Sequence, residues 1–169
     1  MIKQFLVLII GSCSIAGAMG SANAADTCYP ITGRVETQSL ADQIHQVGVA
    51  RLNIGGSAFI GGSSGTLIQY LDQNHAQLDH NLGFPGNGTI VTNGDIATIT
   101  GPIDACHLGV TEALHYTYGT GVFANATMTA TATGSLNICT GENRFKVTGQ
   151  MCFAAGSAPL AITSPKNDN

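Results

Sequence analysis

Ala124-Asn125-Ala126-Thr127-Met128-Thr129-Ala130-Thr131-Ala132-Thr133 alternates without a break, with small or apolar residues at even positions and polar ones at odd positions. A period of two held over ten residues predicts a half-buried β-strand, one face against a core and the other in water. The next segment repeats the pattern. Phe145, Val147, Gly149, Met151 and Phe153 share one face, and Arg144, Lys146, Thr148 and Gln150 share the other. Gly141-Glu142-Asn143 joins the two segments as a hairpin turn.

Working outward, Tyr29, Ile31 and Val35 oppose Thr32, Arg34 and Glu36, which predicts a first strand with the same inside-outside logic. Further strands are expected over 44–54, 65–71, 76–84, 89–100 and 106–118, and Gly55-Gly56, Gly61-Gly62, Asn87-Gly88, Asn93-Gly94 and Gly119-Thr120-Gly121 recur along the chain as turn signals. Helix is confined to one turn near 39–43. About eight antiparallel strands, each with one apolar face, must hide their edges, and closing into a barrel removes the edges altogether. The expected fold is therefore all-β, a single disulfide-stabilised antiparallel barrel over residues 25–155, with a β-sandwich as the alternative. Residues 156–169, which include Pro159 and Pro165, read as a loose C-terminal tail.

Two stretches carry a family resemblance. Tyr118-Gly119-Thr120-Gly121-Val122-Phe123-Ala124-Asn125-Ala126-Thr127 and Phe145-Lys146-Val147-Thr148-Gly149-Gln150-Met151-Cys152-Phe153 resemble the C-terminal half of the allene oxide cyclase and dirigent-like barrels. The resemblance implies an eight-stranded antiparallel barrel around an apolar cavity. No catalytic residue of that group's enzymes matches a position in this chain, so none is carried over.

The N-terminus begins with Lys3, continues through the apolar run Phe5–Ile10 and leaves by Ala22-Asn23-Ala24. Charged start, short apolar centre and small-x-small exit together read as a secretory signal over residues 1–24. Nothing in the chain approaches the roughly 20 apolar residues of a transmembrane helix. Ile10-Gly11-Ser12-Cys13 loosely resembles a lipobox, so lipid anchoring through Cys13 is the alternative to a secreted or periplasmic location. Cys28, Cys106, Cys139 and Cys152 remain beyond the signal, and an even count in an exported chain reads as two disulfides. Four cysteines allow three pairings. In a closed barrel the start of the first strand meets the end of the last, which pairs Cys28 with Cys152 and leaves Cys106 for Cys139.

Six Lys and Arg face ten Asp and Glu. No basic cluster tracks a phosphate backbone, so nucleic acid is not an expected partner. Ser63-Ser64-Gly65 is not a nucleophile elbow. Asn87-Gly88-Thr89 and Asn125-Ala126-Thr127 match the glycosylation pattern, but Asn125 falls in the expected strand. Without a Cys-x-x-Cys pair no zinc site of the cysteine type is expected. His75, His80, His107, His115 and Asp79 offer nitrogen and oxygen donors, yet nothing in their spacing sets a geometry, and no metal or other cofactor is expected.

Glu112 shares a face with Leu108, Val110, Leu114 and Tyr116. Facing inward it would be a carboxylate in an apolar cavity, suited to acid or base work, whereas in another register it would sit in water at the rim. Ala124, Ala126, Met128, Ala130, Ala132 and Tyr116 are the expected ligand-lining residues, because methyl groups leave space that leucines would fill. The same alanines facing outward would let barrels pack as a homo-oligomer. The order of functional readings is a barrel binding a small apolar ligand, then a non-catalytic interaction module, then a cyclase- or isomerase-type enzyme.

Overall fold

The computed structural model describes residues 26–157; the expected signal over 1–24, with Cys13, and the expected tail beyond 157 lie outside them. Eight strands follow in order: β1 Thr27–Ser39, β2 His45–Ile54, β3 Ser57–Tyr70, β4 His75–Phe84, β5 Gly88–Pro102, β6 His107–Gly119, β7 Ala126–Asn137 and β8 Glu142–Phe153. Each pairs antiparallel with its chain neighbours, and β1 pairs with β8 from Thr27↔Phe153 to Gln38↔Glu142, so the sheet closes into a barrel. The alternation read in the sequence becomes the inside-outside alternation of the wall. Ala126, Ala130 and Ala132 on β7 and Val147, Met151 and Phe153 on β8 are buried.

The two ends differ. Connections β2–β3, β4–β5 and β6–β7 lie at one end, where a single 3-10 turn, Gly121–Phe123, drops Phe123 into the barrel. Its ring meets Phe59 at 5.1 Å and Phe84 at 5.5 Å between centroids. Ile31, Ile54, Ile90, Met151 and Phe153 complete a solid plug, each 0–1% exposed. A fully buried side chain of this size stabilises by about 1.5–3 kcal/mol, so this end is where the barrel is held shut. Loops β1–β2, β3–β4, β5–β6 and β7–β8 form the other end.

Both disulfides join the expected partners. Cys28–Cys152 ties the β1–β8 seam between directly opposed residues, with Cα atoms 3.9 Å apart. Cys106–Cys139 ties the β5–β6 loop to the β7–β8 loop, with Cα atoms 5.3 Å apart. Both of these cysteines lie outside the ladders, so strand parity does not constrain them.

Three local expectations are corrected. β3 begins at Ser57 rather than near residue 65, because residues 57–65 are laddered to β2 and Gly62-Ser63-Ser64-Gly65 to β4 as well, and tertiary pairing overrides weak strand propensity. Asn93-Gly94 is not a turn but a bulge inside β5. Ala124 and Asn125 precede β7, Asn125 in left-handed backbone at φ 59°, so neither lies in the strand.

Candidate functional site

The bulge in β5 builds the centre of the barrel. Leu78 pairs with Asp95 and Asp79 with Asn93, so Gly94 is the inserted residue, in left-handed backbone at φ 71°. A bulge re-aims the side chain that follows it. Thr92 and Asp95, three apart, consequently both point inward and are both buried. The insertion is tied from both sides: Gly94 N–H donates to Asp79 Oδ1 at 2.7 Å, and His115 Nδ1 bonds the Gly94 carbonyl at 2.7 Å.

Asp95 meets His80 from β4 and Glu112 from β6, each about half-way along its strand. His80 Nδ1 lies 2.8 Å from Asp95 Oδ2 and 3.6 Å from Glu112 Oε1. Thr92 Oγ1 donates to Asp95 Oδ2, and His115 N–H donates to Asp95 Oδ1 at 2.5 Å. Asp95 is 0% exposed and Glu112 5%. Glu112 Oε1 and Ser63 Oγ are buried with no hydrogen-bond partner among the described residues. Burial is the main force pushing the Glu112 carboxyl up to about 6, with Asp95 adding to it and His80 opposing it. Burial works to lower His80, but the Asp95 hydrogen bond and the charges of Glu112, Asp95 and Asp79 outweigh it and raise the imidazole above its ordinary value.

Above this cluster the barrel is hollow. A cavity of about 510 Å³ extends to the loop end, lined by Val35, Leu67, Leu78, Ile99, Leu108 and Leu136 among others, with Ser63, His80, Thr92 and Glu112 in its wall. Near the mouth, Asn143 Nδ2 donates to Ser39 Oγ at 3.1 Å, and Thr37 Oγ1 donates to Gln46 Oε1 at 2.8 Å. Leu40, Tyr70 and Ile138 line the opening and are exposed, and Ile103 on the β5–β6 loop is 64% exposed. A depression of about 650 Å³ on the outer wall, beside Arg34, Glu36, Arg144 and Lys146, is shallow and open, and contains no buried polar group.

The expected lining residues divide. Met128 and Ala132 line the cavity, as do Glu112 and Leu114. Ala126 and Ala130 belong instead to the packed end, and Ala124 lies before the strand. Tyr116 packs on the same core and its hydroxyl donates to the Phe123 carbonyl at 2.9 Å. Of the expected nitrogen and oxygen donors only His80 joins the cluster, because Asp79 and His115 brace the bulge.

The remaining histidines belong to a repeat that the alternation of the strands hides. Asp42-Gln43-Ile44-His45, Asp72-Gln73-Asn74-His75 and Asp104-Ala105-Cys106-His107 are three copies of Asp-x-x-His, one in each of the first three loops of the open end. In each, the Asp accepts N–H bonds from residues two and three ahead and from the His ring, at 2.7–3.0 Å. Those bonds hold all three carboxyls below their ordinary value; the largest cause is the His45 ring for Asp42, which falls to about 2, and backbone N–H bonds for Asp72 and Asp104. Asn137 takes the equivalent place in the fourth loop, accepting from Cys139 and Thr140 at 3.0 Å. A search for repeats at a spacing of about 30 residues would have found the set.

Fold and site define a class: a closed eight-stranded up-and-down barrel, solid at one end and hollow at the other, with an imidazole and a carboxylate, His80 and Glu112, on the cavity wall and a second carboxylate, Asp95, buried against them. Compared with protein-family models, curated proteins and solved structures, the chain matches none.

Proposed function

We propose that the barrel is an exported protein that holds one small, largely apolar molecule in its open half. The carrying observation is the asymmetry of the interior: one half is packed with Phe, Met and Ile, while the other encloses about 510 Å³ between mainly apolar walls. That volume falls within the range of ligand pockets, and few but convergent polar groups are what fixes a ligand's orientation in one. Exposed Leu40, Tyr70, Ile103 and Ile138 support entry from this end, since an apolar molecule would meet apolar side chains before the interior. The resemblance to the allene oxide cyclase and dirigent-like barrels supports the same use of the interior. Enzymatic turnover ranks below binding, because among the described residues no nucleophile hydrogen-bonded to a base accompanies the cluster. The apolar rim also favours the second reading, a module docking through its loop end.

Titration with the apolar fluorophore N-phenyl-1-naphthylamine tests binding. One equivalent should bind with enhanced fluorescence, and Ala132→Trp, which fills the cavity from β7, should abolish it. Equal binding by Ala132→Trp, with its fold intact by circular dichroism, would move the ligand to the rim and leave the docking module.

Export is supported by the leader sequence, and the two disulfides imply an oxidising compartment. N-terminal sequencing of exported material should read from Ala25. A blocked, lipid-bearing Cys13 would assign the chain to a membrane surface instead.

A further inference from the structure

The cluster beside the cavity, with His80 and Glu112 in its wall and Asp95 buried against them, has a charge that the barrel does not balance. Asp95 and Glu112 are buried, whereas Arg34, Arg51, Arg144 and Lys146, the four Lys and Arg among the described residues, are all exposed on the outer face. Buried carboxylates are normally paired or coordinate a metal. Among the described residues His80 is the one basic side chain that reaches them, and its hydrogen bond goes to Asp95. Glu112 Oε1 remains 3.6 Å from the same nitrogen, buried and without a hydrogen-bond partner among the described residues.

We propose that His80 Nδ1, Asp95 Oδ2 and Glu112 Oε1 bind one divalent transition-metal ion of the Zn²⁺ type, with an open coordination position toward the cavity. The donors come from three adjacent strands, and one donor atom of each residue lies within 4.8 Å of the others, with His80 Nδ1 2.8 Å from Asp95 Oδ2 and 3.6 Å from Glu112 Oε1. A triangle of that size accommodates an ion at about 2.0–2.2 Å from nitrogen and oxygen ligands. One imidazole with two carboxylates suits zinc and its first-row neighbours, while magnesium and calcium take oxygen sets.

The surroundings hold the donors in place. Thr92 Oγ1 and His115 N–H grip Asp95 on both oxygens, which orients it without occupying Glu112. Gly65 on β3 leaves room for the imidazole, since a Cβ there would lie 2.7 Å from His80 Cδ2 and 2.9 Å from Nε2. Binding replaces the Nδ1 proton of His80, which leaves to solvent, and the 2+ ion cancels the two carboxylate charges. Three protein ligands with one side open to a cavity is the pattern of metal sites that keep a position for water or a ligand. The proposal does not depend on the apolar-ligand reading, because the metal alone is the probe.

The test is calorimetric titration of chelator-stripped, disulfide-intact protein with ZnCl₂, alongside the visible spectrum of the Co²⁺-loaded wild type. One Zn²⁺ per chain is expected, and Co²⁺ should give a spectrum unlike the aquo ion that one equivalent of Zn²⁺ abolishes. Glu112→Gln and His80→Asn should each weaken binding by about 100-fold or more, and Thr92→Val, which loosens Asp95 only, by about 10-fold. Combined His45→Asn, His75→Asn and His107→Asn should leave affinity unchanged. The site is refuted if the wild type takes up no Zn²⁺, if binding follows the rim histidines, or if folded Glu112→Gln and His80→Asn bind as the wild type does. Should either variant fail to fold, the wild-type Co²⁺ spectrum and the rim variant still decide.

Discussion

Glu112 shows how much one side chain's surroundings determine its chemistry. Its segment alternates like any other strand, yet the residue is grouped with Asp95 on the neighbouring β5 and lies 3.6 Å from His80 on β4. Burial raises its carboxyl from the ordinary 4.5 to about 6, so the folded barrel prefers the protonated form. In metal-free protein that preference stabilises fully below 4.5 and is lost as pH rises to about 6, a difference of about 2 kcal/mol. His80, raised above 6.5, acts in the same direction: its contribution is present below 6.5 and lost as pH rises through its folded value. The rim aspartates run oppositely, stabilising above 3.8 and losing that as pH falls. Urea unfolding in EDTA should therefore show highest stability on the acid side of neutrality, and Glu112→Gln should flatten the decline between 4.5 and 6. An unchanged slope in the variant would show that Glu112 is not the group titrating.

At the scale of the element, β5 departs most from its sequence pattern. A regular strand would place Thr92 and Asp95 on opposite faces. The inserted Gly94 brings both inward and gives the histidine its partner. A β-branched residue at φ 71° is strained, so Gly94→Val should cost about 1–3 kcal/mol in chemical denaturation. Asn tolerates left-handed backbone, and Gly94→Asn should cost clearly less. Equal losses would mean that the space around the bulge, rather than its backbone conformation, limits the position.

For the whole molecule, closure is the central fact. Cys28–Cys152 spans the β1–β8 seam with a sequence separation of 124, against 33 for Cys106–Cys139. Each bridge should be worth about 2–5 kcal/mol. If unfolded-chain entropy dominates, the paired Cys28→Ser and Cys152→Ser change should cost about 1 kcal/mol more than Cys106→Ser with Cys139→Ser. Thermal unfolding of the two double variants measures the difference, and the reverse order would locate the stabilisation in the folded loops at the mouth. The hollow half needs the second bridge for another reason: with no aromatic plug, Cys106–Cys139 is the covalent tie between two of its loops.

The sequence alone determined which residues face in and which face out on β7, β8 and β1, and it favoured the barrel over a sandwich and the two disulfide pairings that the structure shows. Side-chain alternation is a property of neighbouring residues in one strand, and closure follows from the need to pair every edge. It also marked Glu112 as a carboxylate on an apolar face. Only the tertiary structure decided that the alanines of β7 divide between packed core and cavity, because that depends on which end the Phe123 turn fills. The meeting of His80, Asp95 and Glu112 was equally beyond reach: it needs three strands in register and one glycine-centred bulge, and Asn93-Gly94 read locally is a turn. Register between strands is set by pairing across the barrel, which no window of neighbouring residues contains.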